Sequence, residues 1–172
     1  MIKEKMLNAL NEQINAEQYS SLLYLSMSAY FSNVGLPGFA NWMYIQFQEE
    51  MTHANKFFKY VIERGGKVEL KSIAQMPVDF NGVIDVFEKT QTHEQHVTAL
   101  INNLEDIAIE ERDHACQSFL KWFVDEQVEE EANVQEILDT LKLINGQGNG
   151  IFMLVREMRQ RVFVDSTATA AE

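Results

Sequence analysis

Glu50 and His53 stand three positions apart in the run Glu49-Glu50-Met51-Thr52-His53, inside a long helical pattern. Residues at that spacing share one side of an α-helix, so the carboxylate and the imidazole reach a common point. The pair is half of a site for a divalent transition metal. Taken alone, it reads more simply as a solvated surface pair. Three further carboxylates change its weight, because each falls where a helical stripe calls for an apolar residue. Glu17 follows Ile14 and precedes Ser21, Glu94 follows Thr90 and precedes Val97, and Glu130 follows Gln127 and precedes Val134.

Apolar residues recurring every three or four positions predict helices over about 2–32, 37–64, 82–112 and 114–145, with a short fifth helix over about 150–162. The stripes run Met6, Leu10, Ile14 to Phe31; Phe39, Met43, Phe47 to Val61; Val83, Phe87 to Ala108; and Phe119, Phe123 to Ile144. Gly35 and Gly65-Gly66 suit helix C-caps, Pro37 suits a first turn, and Asp113 suits an N-cap after a break that no glycine or proline marks. Residues 65–81 have no period. Extended, they span roughly 55 Å at ~3.3 Å per residue, more than the roughly 42 Å of a 28-residue helix. A connection of that reach crosses a whole bundle and sets the third helix parallel to the second. The fifth helix, reached through a hinge at Gly146–Gly150, is too apolar to stay wet and is expected to pack against other subunits. The tail over 165–172 is expected to be disordered.

Antiparallel helices joined by a short turn bring residues equidistant from that turn to one height. Glu17 and Glu50 lie almost equally far either side of Val34, and Glu94 and Glu130 lie equally far either side of Arg112. Four carboxylates and His53 therefore meet inside the bundle. Buried acids that cluster are costly unless they are protonated or bound to cations. Oxygen donors with one imidazole favour iron, manganese or cobalt over a metal that prefers sulfur, and dinuclear iron bundles take a glutamate from each of four helices.

Composition narrows the class. With 172 residues, 46% apolar content, two prolines and eight glycines, the chain suits one all-α domain. A formal net charge of −12 disfavours nucleic acid and anionic membranes as partners. A single cysteine, Cys116, excludes an internal disulfide and a cysteine-rich metal ribbon, and fits a reducing cytoplasm. No run of apolar residues reaches membrane-spanning length.

On Glu17, Glu50, His53, Glu94, Gln127 and Glu130, with Tyr24 nearby and the long crossover between helices two and three, the whole chain resembles a bacterial non-haem ferritin. The resemblance implies a ferritin-like four-helix bundle plus a short C-terminal helix. It implies that Glu17, Glu50 and His53 hold one iron, and that a bridging Glu50 with Glu94 and Glu130, and Gln127 beside them, holds a second. Glu49, Glu126 and Glu129, with Glu130, match the third iron site of bacterial ferritins. Where a bacterioferritin has a second Glu-x-x-His, this chain has Gln127-Val128-Glu129-Glu130, so no haem is expected, and Met51 reads as an interface side chain. The implied activity is oxidation of ferrous iron by O2 or hydrogen peroxide, with ferric mineral kept inside a homo-oligomer of 24 subunits. Tyr24 and Trp122 are candidates to support the centre or simply to fill the core, and His93, His96 and His114 are expected at the surface. A dinuclear oxidase or peroxide scavenger that stores no mineral, and an inert scaffold with solvated glutamates, remain as alternatives.

Overall fold

The structure is a computed structural model and describes residues 2–145 and 148–167. Five helices follow one another: α1 (Glu4–Asn33), α2 (Pro37–Glu63), α3 (Val83–Glu111), α4 (His114–Leu143) and α5 (Gly148–Met158). Among the described residues there is no strand, and no helix is long and apolar enough to cross a membrane.

The first hairpin closes at Gly35, whose φ of +76° carries the chain out of α1 while the Leu36 amide donates to the Phe31 carbonyl at 2.9 Å. Pro37 then opens α2. The second hairpin turns on Arg112, a non-glycine residue in the left-handed region at φ +55°. Asp113 caps α4 by accepting the Cys116 amide at 3.0 Å, and its carboxylate also accepts two donations from the Arg64 guanidinium at 3.1 and 2.9 Å. That pair ties the end of α2 to the start of α4.

The crossover runs the length of α1. It starts beside Asn11, whose side chain donates to the Lys67 carbonyl at 3.0 Å and accepts the Glu69 amide at 2.8 Å. It passes Ser26, which donates to the Pro77 carbonyl at 2.5 Å, and ends with the Gly82 amide on the Tyr30 hydroxyl at 3.1 Å. The far end of α3 returns to the start of α1, where Lys3 donates to the Glu111 carbonyl at 2.7 Å. So α3 runs antiparallel to α1 and parallel to α2, as the length of the loop requires.

The core is split in two. One apolar cluster holds Tyr24, Met27, Phe31, Phe39, Met43, Phe87, Val134 and Leu141. The other holds Met6, Leu10, Ile14, Phe57, Val61, Ile101, Leu104 and Phe123. Between them, at mid-height on every helix of the bundle, lies a buried polar layer: Glu17, Gln46, Glu50, His53, Thr90, Glu94, Gln127 and Glu130.

The fifth helix is docked on its own chain by one face. It lies on α2 of its own chain, burying Leu154 and Met158 against the first cluster. Contact is close enough that a Cβ on Gly38 would stand 1.9 Å from the Val155 carbonyl oxygen, so only glycine fits there. The helix stops at Met158, short of the expected 162, because the Asn41 amide donates to the Met158 carbonyl at 3.1 Å and the Arg161 carbonyl at 3.0 Å. It also begins at Gly148, inside the expected hinge; residues 146 and 147 lie outside the described residues. Phe152 and Met153 point away from α2 and are 62% and 65% exposed. Of the tail, 165–167 are placed with a turn, and 168–172 lie outside the described residues.

Candidate metal centre

Glu17 on α1 and Glu50 and His53 on α2 are brought together in the polar layer, nearly without solvent exposure. Each offers a ligand atom, and those atoms all lie within 4.8 Å of one another. His53 Nδ1 is 3.5 Å from Glu50 Oε2, while its other nitrogen, Nε2, is 3.8 Å from Glu126 Oε1. The ring is held edge-on by Trp122 at 5.4 Å and Phe123 at 6.1 Å between centroids. Gln13, one turn before Glu17, donates to Glu17 Oε1 at 2.8 Å. Glu17 Oε2, Glu50 Oε2 and His53 Nε2 are buried without a hydrogen-bond partner. Unpaired buried polar atoms are rare because each carries its full desolvation cost. Two carboxylate oxygens left without a donor in so tight a group fit a cation better than they fit a structural role.

The other two acids of the layer are each turned to their own donors. The Tyr24 hydroxyl donates to Glu94 Oε1, and Gln127 Nε2 approaches Glu94 Oε2 at 3.3 Å. Gln46 Nε2 donates to Glu130 Oε2 at 2.9 Å. Among the described residues no second group of three acids, histidines or cysteines meets the 4.8 Å spacing, so Glu94 and Glu130 lie in the same layer but outside the tight triad.

Charge binds the layer into one unit. Burial, and then the charge of Glu50, pushes the Glu17 carboxyl well above the usual range. Burial, and then Glu94, does the same to Glu50. Glu94 is raised by burial against the opposing hydrogen bonds of Tyr24 and Gln127. Burial, with the charges of Glu94 and Glu49, takes Glu130 to about 8. The Tyr24 phenol is raised by its burial and by Glu94. Each acid is held up by burial and by neighbouring carboxylates, which is the condition a bound cation relieves.

The third set does not meet the 4.8 Å spacing, although the charge of Glu126 acts on Glu49 and that of Glu49 on Glu130. Glu49 is paired with Arg161 Nη2 at 2.6 Å, Glu126 lies between His53 and the Ser166 hydroxyl, which reaches it at 3.4 Å, and Glu129 is exposed. Met51 is half-buried. Of the histidines expected outside, His96 and His114 are exposed, but His93 is not. Its ring sits 5.9 Å from both Tyr19 and Tyr24 with Nε2 2.8 Å from Ser20 Oγ, and burial lowers its pKa to about 4. Tyr19 and Tyr24 present aromatic surface on α1 that draws the ring of the facing helix inward.

Pattern alone missed Gln13, Gln46 and Arg161. The first two carry a signal in hindsight, since each stands one turn before a site glutamate on the same helix. Arg161 lies beyond the last helix and carries none.

The family model of the ferritin-like domain matches residues 7–144. A bacterial non-heme ferritin of Bacteroides fragilis is 48% identical over 161 residues, 94% of this chain and 100% of the relative. One from Staphylococcus aureus is 35% identical over 163 residues, 95% and 98% of the two chains. The open pore ferritin of the hyperthermophilic archaeon Archaeoglobus fulgidus superposes with a TM-score of 0.93 at 46% identity, covering 94% of this chain and 100% of that one.

Proposed function

The chain belongs to the ferritin family, and from that premise we propose that it stores iron and is a ferroxidase, oxidising Fe(II) at a dinuclear centre and depositing ferric oxyhydroxide inside a homo-oligomeric shell of 24 subunits. The observation that carries the reading is the buried triad of Glu17, Glu50 and His53, with two carboxylate oxygens left unpartnered beside Glu94 and Glu130.

Ferrous iron is the substrate, drawn to an acidic surface of net charge −12. One ion takes Glu17, Glu50 and His53 as ligands. The second takes Glu50 as a shared ligand with Glu94 and Glu130, and Gln127 lies next to it. A shared carboxylate keeps two ions roughly 3.5–4 Å apart. Each ion gives one electron, so O2 receives a pair: two Fe2+, one O2 and two protons give two Fe3+ and one H2O2. Hydrogen peroxide as oxidant takes the same two electrons and two protons to give two waters. Glu130, raised to about 8, enters the cycle protonated near neutral pH and yields its proton when iron binds. Tyr24 and Gln127 hold the Glu94 carboxylate, Gln46 holds that of Glu130, and the edges of Trp122 and Phe123 shield His53 from water. Ferric ion then hydrolyses, each Fe3+ with two waters giving FeOOH and three protons, and the mineral needs an enclosed space. On this reading the protein works in the cytoplasm.

Aerobic titration with ferrous sulfate tests the reading. A fast oxidation phase should saturate at two irons per subunit, and the particle should be a shell that retains iron on gel filtration. Glu50→Ala should slow the fast phase at least about tenfold, because both ions lose a ligand. A wild-type rate in that variant, or a monomeric wild-type protein, overturns the reading.

A further inference from the structure

The segment that follows α5 makes contacts the proposed reaction does not use. Asn41 clamps its first residues, and Arg161 lies across the Trp42 ring with its guanidinium carbon 4.8 Å from the centroid. Arg161 Nη1 donates to the Trp42 carbonyl at 3.4 Å, and Nη2 donates to Glu49 Oε2 at 2.6 Å. Further on, Ser166 Oγ donates to Glu126 Oε1 at 3.4 Å. One short stretch of chain thus engages two of the carboxylates that lie just outside the centre, and one of them, Glu126, is 3.8 Å from His53 Nε2.

We propose that Arg161 is a resident cation that competes with a metal ion for Glu49, and so weakens the third site that the family resemblance implies at Glu49, Glu126 and Glu129, with Glu130. The inference rests on the dinuclear reading of the centre and concerns what lies next to it. A guanidinium keeps its charge at every relevant pH and presents donors matched to a carboxylate. The side chains of the pair are 25% and 15% exposed, so water and salt screen it less than a pair on the open surface. An ion arriving at Glu49 must displace the guanidinium or sit against its charge. Trp42 and Asn41 hold Arg161 in place whether or not Glu49 stays bound, so the competitor remains at high local concentration.

Calorimetric titration of the metal-free full-length protein with Zn2+, which cannot be oxidised, reads the competition directly. Wild type should bind two ions tightly per subunit and a third weakly. Arg161→Gln, and Arg161→Met as a variant that keeps the aliphatic stem on Trp42, should tighten the third event about tenfold and leave the first two unchanged. Arg161→Lys should behave as wild type, and Glu49→Gln added to Arg161→Gln should abolish the gain. An unchanged third event in both charge-removing variants, with the first two intact, overturns the inference alone, as does a gain that survives Glu49→Gln. Loss of the first two events in wild type overturns the dinuclear centre and this inference with it.

Discussion

At the scale of single residues, the molecule gives up stability for its centre. Glu50 is buried with one oxygen unpartnered, and burial together with the charges of Glu94, Glu130 and Glu49 raises its carboxyl. Replacing it by an amide of the same shape removes the repulsion and keeps the packing. Metal-free Glu50→Gln should therefore be more stable than wild type by about 1–2 kcal/mol, while losing the rise in melting temperature that Zn2+ gives wild type. Thermal melts with and without Zn2+ check both, and a variant less stable than wild type without metal would mean that Glu50 serves packing. Four acids of this layer were legible because a carboxylate in an apolar stripe is an anomaly that periodicity exposes. The amides were not: Gln13 and Gln46 are equally at home in water, and only Glu17, one turn away, turns Gln13 inward and Glu130, across the bundle on α4, turns Gln46 inward. His93 adjoins Glu94 on a helix whose inward stripe passes it by, and it is half-buried against Tyr19 and Tyr24 across the gap.

At the scale of elements, helix ends decide the register that makes the layer level. Those marked by Gly35 and Gly65 could be read directly. The third helix ends at Arg112, which takes a glycine's conformation at φ +55°, and nothing in an arginine announces that. The partners of the turn explain it: Asp113 caps α4 and binds Arg64. Burial pushes the Asp113 carboxyl up, but the Arg64 hydrogen bond, the Cys116 amide and the Arg64 charge outweigh it and hold the pKa below the ordinary 3.8. A depressed carboxyl contributes its full stability above that ordinary value and loses it as pH falls through the lower, folded value. Asp113→Asn keeps a capping side chain and removes the charge. It should cost about 0.5–1 kcal/mol at pH 7, and the cost should shrink as pH falls below the ordinary carboxylate range and through the lower, folded value; a cost that does not change with pH in denaturant titrations would assign the effect to the cap. The docking of α5 was not legible, because the small residue that permits it, Gly38, reads only as the first turn of α2. Gly38→Ala places a methyl group against the Val155 carbonyl, a backbone atom that cannot swing aside. The variant should lose roughly 1–3 kcal/mol and become open to proteolysis after α4, while the bundle keeps its helical circular dichroism.

At the scale of the whole molecule, oxidising iron and keeping it are separable. The proposed centre draws its residues from α1 to α4 of one subunit, so on that reading its first turnover needs no neighbour. Retention needs an enclosed volume, and the surfaces that would close it lie elsewhere. One face of α5 is spent on α2; the other presents Phe152 and Met153, apolar side chains that a lone chain leaves wet. If that face seats against other subunits, charging it should break the shell and spare the bundle, since neither side chain touches the first core cluster or the polar layer. The double variant Phe152→Asp and Met153→Asp should run as a smaller particle in light scattering. It should keep the rapid oxidation of the first two ferrous ions per subunit, and lose iron to precipitate when hundreds are added per shell equivalent. A dinuclear oxidase with no storage role predicts the contrary pattern, with wild type and variant alike in size and both unable to hold iron in solution. Turbidity and particle size measured on the same samples therefore decide between a store and a scavenger without altering any residue of the centre.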